Sequence, residues 1–162
     1  MSVKPVLALT LTCLVWGFVL GCVHELTEPR IREAERREMA TRLSEIFPGC
    51  EFVEENGIFL CYRENQLVGR ALEVRGKGYG GEMRILVGIN LDKTVRGVRV
   101  LSHSETKGIG SRAAELPYLS QFENLSLNQL AFRPEGKIEA VSGATVSSRA
   151  ILEAVRRALE HA

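Results

Sequence analysis

Four hydroxyl side chains near the C-terminus have the residue types and the spacing that a phosphate-binding site needs. Apolar residues recur at helical spacing from Ile151 to Leu159, so a helix should begin just before them. The first turn of a helix has free backbone N–H groups and the positive end of the helix dipole, which favour an anion. A serine-rich helix cap without any ligand has the same pattern, and spacing alone leaves both readings open. The four residues are Ser142, Thr145, Ser147 and Ser148.

A hydrolase triad is a second reading of the same region. It would combine Ser142 with His103 and Glu105. However, Ser142 does not stand in a Gly-x-Ser-x-Gly elbow, and the other two residues would point the same way along an extended segment. The glycine-dense segment Gly76–Gly81 also has no frame typical of a phosphate loop. We therefore expect neither a triad nor a nucleotide-binding loop.

Three segments, taken together, resemble the FMN-binding domain family. Val141–Ala150 reads VSGATVSSRA and is similar to the family's flavinylation motif. Gly78–Gly81, followed by Ile85–Ile89, is similar to its glycine–tyrosine segment and strand. Gly97–Gly110 is similar to its second signature, a strand that runs into His-x-Glu-Thr-Pro-Gly-Leu-Gly. The order agrees, and with the apolar N-terminal segment the resemblance covers nearly the whole chain.

The resemblance implies that FMN is attached through a phosphoester to the hydroxyl of Thr145. It also implies that the loop Glu105–Gly110 faces the flavin ring. Two positions depart from the family pattern, with Glu139 where Asp is usual and Lys107 where Pro is usual. The remaining cofactor contacts implied in this way are Tyr79, Glu105, Thr106, Gly108, Ile109, Gly110, Ser142, Gly143, Ala144, Ser147 and Ser148.

The family includes the G subunit of the Rnf ion-translocating electron-transport complex and the C subunit of sodium-translocating NADH:quinone reductase. The resemblance to the former implies an electron-transfer subunit of a ferredoxin:NAD oxidoreductase complex, with no turnover of its own. Its partners would be the other membrane and iron–sulfur subunits, and a flavin transferase for maturation. A stand-alone flavin carrier for another reductase, or a flavin-free membrane-anchored binding or assembly module, remains as an alternative.

Composition excludes one class of partner. The 162 residues contain 21 Lys and Arg against 20 Asp and Glu, and 45% of them are hydrophobic. A nucleic-acid binder would show a basic stripe and a high isoelectric point, so we expect no nucleic acid as a partner. The cysteine spacing is not that of a zinc site, and we expect no metal.

The block Pro5–His24 contains no Lys, Arg, Asp or Glu. As a helix its apolar run Val6–Val23 would be roughly 27 Å long, close to the ~30 Å hydrocarbon thickness of a bilayer. This indicates a transmembrane anchor, although a cleaved signal peptide or lipidation at Cys22 remains open. The arginines after the block favour a cytoplasmic domain by the positive-inside rule, whereas the family resemblance implies an extracytoplasmic one at the inner membrane. Those arginines are Arg30, Arg32, Arg36 and Arg37.

Hydrophobic periodicity predicts the elements that position these residues. A helix is expected from Ile31 to Phe47, after Pro29, and a C-terminal helix after Thr145. Asn56-Gly57 predicts a hairpin in which Cys50 and Cys61 lie diagonally on one face. That separation is marginal for a disulfide, so none is predicted. The fold class is α+β: a transmembrane helix (1–24), a juxtamembrane helix (25–49) and one FMN-binding domain (50–162). The strands are predicted at Glu51–Glu54, Ile58–Arg63, Leu67–Arg75, Met83–Asn90 and Val95–Ser102.

Overall fold

The computed structural model describes residues 3–161, so Met1, Ser2 and Ala162 of the predicted ranges 1–24 and 50–162 lie outside the described residues. The chain forms two compact units, Met1–Glu38 and Met39–Ala162. In chain order the regular elements are α1 (Lys4–Ile46), β1 (Glu51–Glu55), β2 (Ile58–Arg63), β3 (Gln66–Lys77), β4 (Glu82–Asn90), β5 (Val95–His103), α2 (Leu116–Leu119) and α3 (Thr145–Glu160).

Helix α1 is continuous, so the prediction that a separate helix begins at Ile31 is wrong. Pro29 lies inside α1. A proline removes one backbone hydrogen bond, but its fixed φ is itself helical. An ion pair between Glu28 and Arg32 (2.6 Å) spans the position, and a second, between Glu33 and Arg37 (2.5 Å), lies in the turn that follows. Such pairs stabilise the adjoining turns, and the helix passes through the proline.

The N-terminal part of α1 is long and apolar enough to cross a membrane. Its large apolar side chains are exposed on every side, among them Leu14, Trp16 and Phe18. The hydroxyls of Thr10 and Thr12 donate to the carbonyls of Val6 and Ala8, at 2.9 and 2.8 Å. Because these polar groups are paired within the helix, they add little cost in an apolar solvent.

The five strands form one antiparallel meander in the order β1-β2-β3-β4-β5. Asn56 (φ 52°) and Gly57 (φ 80°) join β1 to β2, and positive φ at both positions is what a two-residue type I′ turn requires. Strand β2 has the predicted bounds, and the other four strands extend beyond theirs by one or two residues. The α+β class, with a meander and a C-terminal helix, is confirmed.

The segment between β5 and α3 is mostly irregular. Short 3₁₀ turns cover Gly110–Ala114, Ser120–Phe122 and Leu127–Gln129. The segment Ile138–Val141, which leads towards α3, contributes a single bridge between Ile138 and Phe132. Ile138 is fully buried, and that burial anchors the segment that leads into α3.

Both faces of the sheet are covered, each by a different helix. On one face α3 buries an apolar stripe that includes Ile151, Val155 and Leu159 against β3 and β4. On the other face the last turns of α1 bury Leu43, Ile46 and the following Phe47. These last turns belong to the unit Met39–Ala162, which therefore has a sheet between two apolar layers.

Glycines in three adjacent strands make room for the end of α1. A Cβ on Gly69 would lie 2.7 Å from the Phe47 ring, and one on Gly88 would lie 2.4 Å from the Ile46 side chain. A Cβ on Gly97 would lie 3.4 Å from Ile46, at ordinary contact distance. The Arg96 guanidinium lies over the Phe47 ring, 5.7 Å from its centroid, and donates to the Ile46 carbonyl at 3.5 Å. That contact both covers the ring and satisfies a carbonyl at the helix end.

Four cysteines are free in the structure. Cys61 pairs with Phe52 across β1 and β2, and its side chain is fully buried. Burial, with a smaller contribution from nearby Cys50, raises the pKa of the Cys61 thiol to about 12. Cys61 therefore acts as a small apolar core residue.

Replacing Gly88 by alanine should destabilise the protein, because its methyl group would overlap Ile46 and Phe47. Overpacking of this kind typically costs about 1–3 kcal/mol, which should lower the melting temperature of the full chain in detergent by several degrees. The matched control is Gly97→Ala in the paired position of β5, where the same methyl group meets Ile46 at ordinary contact distance. Equal melting temperatures for the two variants would contradict the packing described.

Candidate functional site

A cleft of about 470 Å³ lies between the first turn of α3 and the loops that follow β3 and β5. Its volume is within the range of small-molecule sites. Nine of the residues predicted from the motifs and resemblance were spread over three segments, and the fold brings them to this one cleft. The lining residues are Tyr79, Glu105, Thr106, Ile109, Gly110, Gly143, Ala144, Thr145, Val146 and Ser147.

The first turn of α3 is built to leave its backbone amides available. Ala144 is the N-cap residue, and within residues 3–161 no side chain caps the helix. The Ala144 N–H donates to the Val141 carbonyl at 2.9 Å, which closes a turn with Gly143 at its third position. Gly143 has φ +80°, the value that this position of a type II turn requires. The amides of Thr145, Val146 and Ser147 therefore begin the helix without intrahelical partners, as in an anion site.

The four hydroxyl residues predicted at the start of the helix differ in burial and in the groove that they line. Thr145 is the first residue of α3, exposed, and lines the cleft, and Ser147 is buried along its wall. Ser142 is exposed and lines a neighbouring groove instead. Ser148 is fully buried: its Oγ accepts from the Val141 N–H at 3.1 Å. Ser148 thus holds the preceding turn in place and does not face the cleft.

A buried tyrosine, Tyr118, also holds the start of α3 in place. The Tyr118 hydroxyl donates to the Ser148 carbonyl at 2.8 Å, and burial raises the pKa of Tyr118. Its ring packs edge-on against Phe122, with centroids 5.4 Å apart. The neutral phenol is therefore a lasting donor at neutral pH, and it ties α2 to the start of α3.

The segment ahead of the turn is held by Gln121. The side-chain oxygen of Gln121 accepts from the Glu139 N–H at 2.8 Å. Its side-chain NH₂ group donates to the Glu139 carbonyl at 3.3 Å. The Glu139 carboxylate pairs with Arg133. Glu139 is exposed in this irregular segment.

Glu105, in the loop that follows β5, lines the cleft together with Tyr79 and Thr145. This residue is only 7% exposed, and its Oε1 accepts from the Gly80 N–H at 3.2 Å. Within the described part of the chain, its Oε2 is buried without a hydrogen-bond partner. A Cβ on Gly78 would lie 2.0 Å from Oε1 and one on Gly110 would lie 2.2 Å from Oε2, so a side chain at either position would displace the carboxylate.

Exposed apolar side chains line the mouth of the cleft. Tyr79 is 81% exposed, and Ile109 and Val146 are more than half exposed. Large apolar groups in such positions are typical of a surface that a planar ligand covers. Val146 was not predicted from the sequence, although its place directly after Thr145 at a helix start is a signal that could have found it.

The loop after Glu105 is closed on itself by hydrogen bonds. The Thr106 carbonyl accepts from the N–H groups of Ile109 and Ser111, at 3.3 and 3.2 Å. Gly108 has φ +79° and its N–H donates to Ser111 Oγ at 2.9 Å. Gly108 and Lys107 are exposed and are not among the residues that line the cleft. Gly108 therefore shapes the loop without lining the cleft.

The hydrolase triad is not assembled. The Glu105 carboxylate is bonded to Gly80, and His103 Nδ1 accepts from the backbone N–H of Glu105 at 3.2 Å. Ser142 lines a different groove from Glu105.

Comparison with known proteins finds a matching family and relatives that match most of this chain. The profile of the FMN-binding domain matches residues 78–160. The G subunit of an ion-translocating oxidoreductase complex from Stutzerimonas stutzeri is 31% identical over 177 residues, 95% of this chain and 78% of that protein. The G subunit of a proton-translocating ferredoxin:NAD(+) oxidoreductase complex from Clostridium ljungdahlii is 26% identical over 160 residues, 94% of this chain and 86% of that protein.

Two solved structures share the fold. The C subunit of a Na(+)-translocating NADH-quinone reductase from Parabacteroides distasonis superposes with a TM-score of 0.54 at 17% identity, over 63% of this chain and 58% of that chain. NqrC of Shewanella oneidensis superposes with a TM-score of 0.53 at 19% identity, over 70% of each chain. At these identities the likeness is one of fold alone.

Replacing Gly143 by valine should destabilise the protein by about 1–2 kcal/mol, because a β-branched residue at positive φ is strained. A Cβ there meets no atom within 4 Å, so the whole effect is conformational. Thermal unfolding of the full chain measures it, and Gly143→Asn is the control, since asparagine tolerates this conformation. A valine variant as stable as the asparagine variant would contradict the turn described.

Proposed function

The chain belongs to the FMN-binding domain family, and we propose that it is a membrane-anchored electron-transfer subunit of an Rnf-type ion-translocating ferredoxin:NAD oxidoreductase complex. Relatives that bear such names match it along more than nine-tenths of its length. The observation that carries the proposal is the position of Thr145, exposed at the first turn of α3 and lining the same cleft as Glu105 and Ile109.

The residues of the cleft fit FMN at three points. The unpaired amides at the start of α3 suit a phosphate, because they offer N–H donors and the positive end of the helix dipole. The exposed apolar side chains at the mouth suit a planar ring system. The buried Glu105 Oε2 is an acceptor that the described residues leave without a partner, which suits a ligand with a donor group.

We propose that FMN is held covalently, through a phosphoester between its phosphate and the Thr145 hydroxyl, formed by a flavin transferase. A linkage through the phosphate leaves the isoalloxazine ring, which takes up and releases electrons, chemically unmodified. Thr145 has the required hydroxyl beside the unpaired amides of its own helix turn. Ser142 has a hydroxyl as well, but it lines the neighbouring groove.

The rest of the site positions the cofactor and excludes water from it. Tyr79, Ile109 and Val146 provide apolar surface at the mouth of the cleft, and Gly110 allows close approach of the backbone. Among residues 3–161, those that line the cleft include no pairing of a nucleophile with a base. The chain would relay electrons between centres of neighbouring membrane and iron–sulfur subunits, with no turnover of its own, as the family resemblance implies.

The apolar part of α1 would anchor the subunit in the inner membrane. We propose that the flavin domain lies on the extracytoplasmic face, as the family resemblance implies. The four arginines after the apolar block favour the opposite orientation. We follow the family resemblance over this charge count.

The attachment site is tested by coexpression with a flavin transferase and denaturing gel electrophoresis. A fluorescent band is expected at the mass of this chain, and it should disappear in Thr145→Val, which keeps the side-chain volume but removes the hydroxyl. Ser142→Ala is the matched control and should keep the band, because Ser142 lies outside the cleft. A band that survives Thr145→Val would refute the site, and no band in the unsubstituted chain would refute the flavin carrier.

The orientation is tested with protease on membrane vesicles. Because the domain is proposed to face outward, protease should remove it in right-side-out vesicles and spare it in inverted ones. Immunodetection of a tag added at the C-terminus follows the cleavage, with a cytoplasmic-side protein as the control for vesicle integrity. Cleavage confined to inverted vesicles would place the domain in the cytoplasm.

A further inference from the structure

Strand β1 lies at the edge of the sheet, and one of its two sides is open. Its residues pair with β2, and the sheet continues from there to β5. Within residues 3–161, no backbone hydrogen bond joins β1 to any segment other than β2. An open edge is a template to which a further extended segment can add as a strand.

The two-residue turn between β1 and β2 determines which backbone groups face the open side. In such a hairpin the residues that flank the turn, here Glu55 and Ile58, exchange both backbone hydrogen bonds. Pairs of this kind alternate along an antiparallel ladder with pairs that do not bond to each other. The N–H and C=O groups of Phe52 and Glu54 therefore point away from β2, where they are available to another strand.

One face of β1 presents an apolar side chain between two carboxylates. Side chains at positions 51, 53 and 55 share a face, because successive residues of a strand alternate. Val53 is 46% exposed, and Glu51 and Glu55 are exposed on either side of it. Val53 pairs with Leu60 of β2, which is only partly buried, so the apolar surface continues inward from the edge.

These charges determine which segment fits the edge. Suppose that two copies of the chain paired antiparallel through β1, centred on Val53. Glu51 of one copy would then lie opposite Glu55 of the other, and like charges directly opposite each other destabilise a sheet. A segment with Lys or Arg at both positions, and an apolar residue between them, would instead form a favourable pair at each position. The edge therefore disfavours a second copy and favours a basic strand.

We propose that the outer edge of β1 binds an extended segment of a different protein chain, with an apolar residue between two basic residues on one face. The added strand bonds to the outward backbone groups of Phe52 and Glu54, and its basic side chains pair with Glu51 and Glu55. The inference rests on the proposed function for the source of this segment, which is a neighbouring subunit of the membrane complex. The surface is separate from the cleft, which no residue of β1 lines.

The test is photo-crosslinking in membranes of cells that express the full chain with a flavin transferase and the other subunits of its complex. Val53 is replaced by p-benzoylphenylalanine. We expect a crosslink to a different chain, and mass spectrometry should locate it in a segment with alternating basic residues. The absence of a crosslink, a crosslink to a second copy, or one to a segment without basic residues would overturn the inference.

The fluorescent flavin band of the same samples reports on the proposed function separately. A flavin-loaded chain that forms no crosslink refutes the inference and leaves the flavin carrier intact. A crosslinked chain that carries no flavin supports the inference about the edge and contradicts the carrier.

The charge pairing is tested with Glu51→Lys in the crosslinking chain. This change replaces a favourable pair by a like-charge contact, which should lower the crosslink yield about five-fold. Glu54→Lys is the matched control: it makes the same change of charge, but its side chain lies on the opposite face of β1, so the yield should stay unchanged. Equal yields in the two variants would refute the charge pairing and the inference with it.

The backbone pairing is tested with Glu54→Pro, which removes an outward N–H group. Proline is tolerated on an edge strand where its nitrogen faces away from the sheet, so the pairing with β2 should survive. Loss of one backbone hydrogen bond should lower the crosslink yield about five-fold. Glu54→Thr also lacks the carboxylate but keeps the N–H, and should crosslink like the unsubstituted chain.

Circular dichroism checks that the proline variant folds. A folded Glu54→Pro chain that crosslinks as well as Glu54→Thr would contradict the added strand. If the proline variant does not fold, the comparison of Glu51→Lys with Glu54→Lys decides the inference.

Discussion

The close packing of α3 on the sheet is the constraint on which the candidate site depends. The backbone of the helix approaches β3 so closely that a Cβ on Gly76 would lie 3.0 Å from the Ala150 carbonyl oxygen. The buried apolar stripe of α3 prevents it from sliding or rotating. The first turn of the helix, with Thr145, is therefore fixed beside Glu105. If the helix stood further from the sheet, the cleft would open and its two walls would no longer face one ligand.

The turn before α3 is secured by contacts that have no direct part in binding. Ser148 bonds to the Val141 backbone, Tyr118 bonds to the Ser148 carbonyl, and Gln121 pairs with both backbone groups of Glu139. These side-chain contacts, rather than strand pairing, hold the segment Glu139–Val141. They leave the amides of the first turn of α3 as the donors that face the cleft. A preorganised donor set of this kind costs little further ordering when an anion binds.

Local patterns predicted much of this molecule, and the failures have physical causes. Asn56-Gly57 and the alternating strands specify their own hairpins, and the apolar stripe of α3 specifies its buried face. The continuity of α1 through Pro29 was missed because a local rule does not weigh one lost hydrogen bond against a long helix with flanking ion pairs. Ser142 and Ser148 were grouped with the cleft residues because spacing shows which helix turn a residue occupies, and not which neighbour its hydroxyl bonds. The unpaired oxygen of Glu105 depends on glycines distant in sequence, which no local pattern reveals.

The proposed function depends above all on a single FMN that is carried by Thr145 in this cleft. Tandem mass spectrometry of the chain, isolated with the flavin transferase present, detects that attachment without relying on fluorescence. We expect one adduct with the mass of FMN less one water, located on Thr145 in the peptide that spans the start of α3. An adduct on another hydroxyl, such as Ser142, or a chain without any flavin adduct, would contradict the proposal.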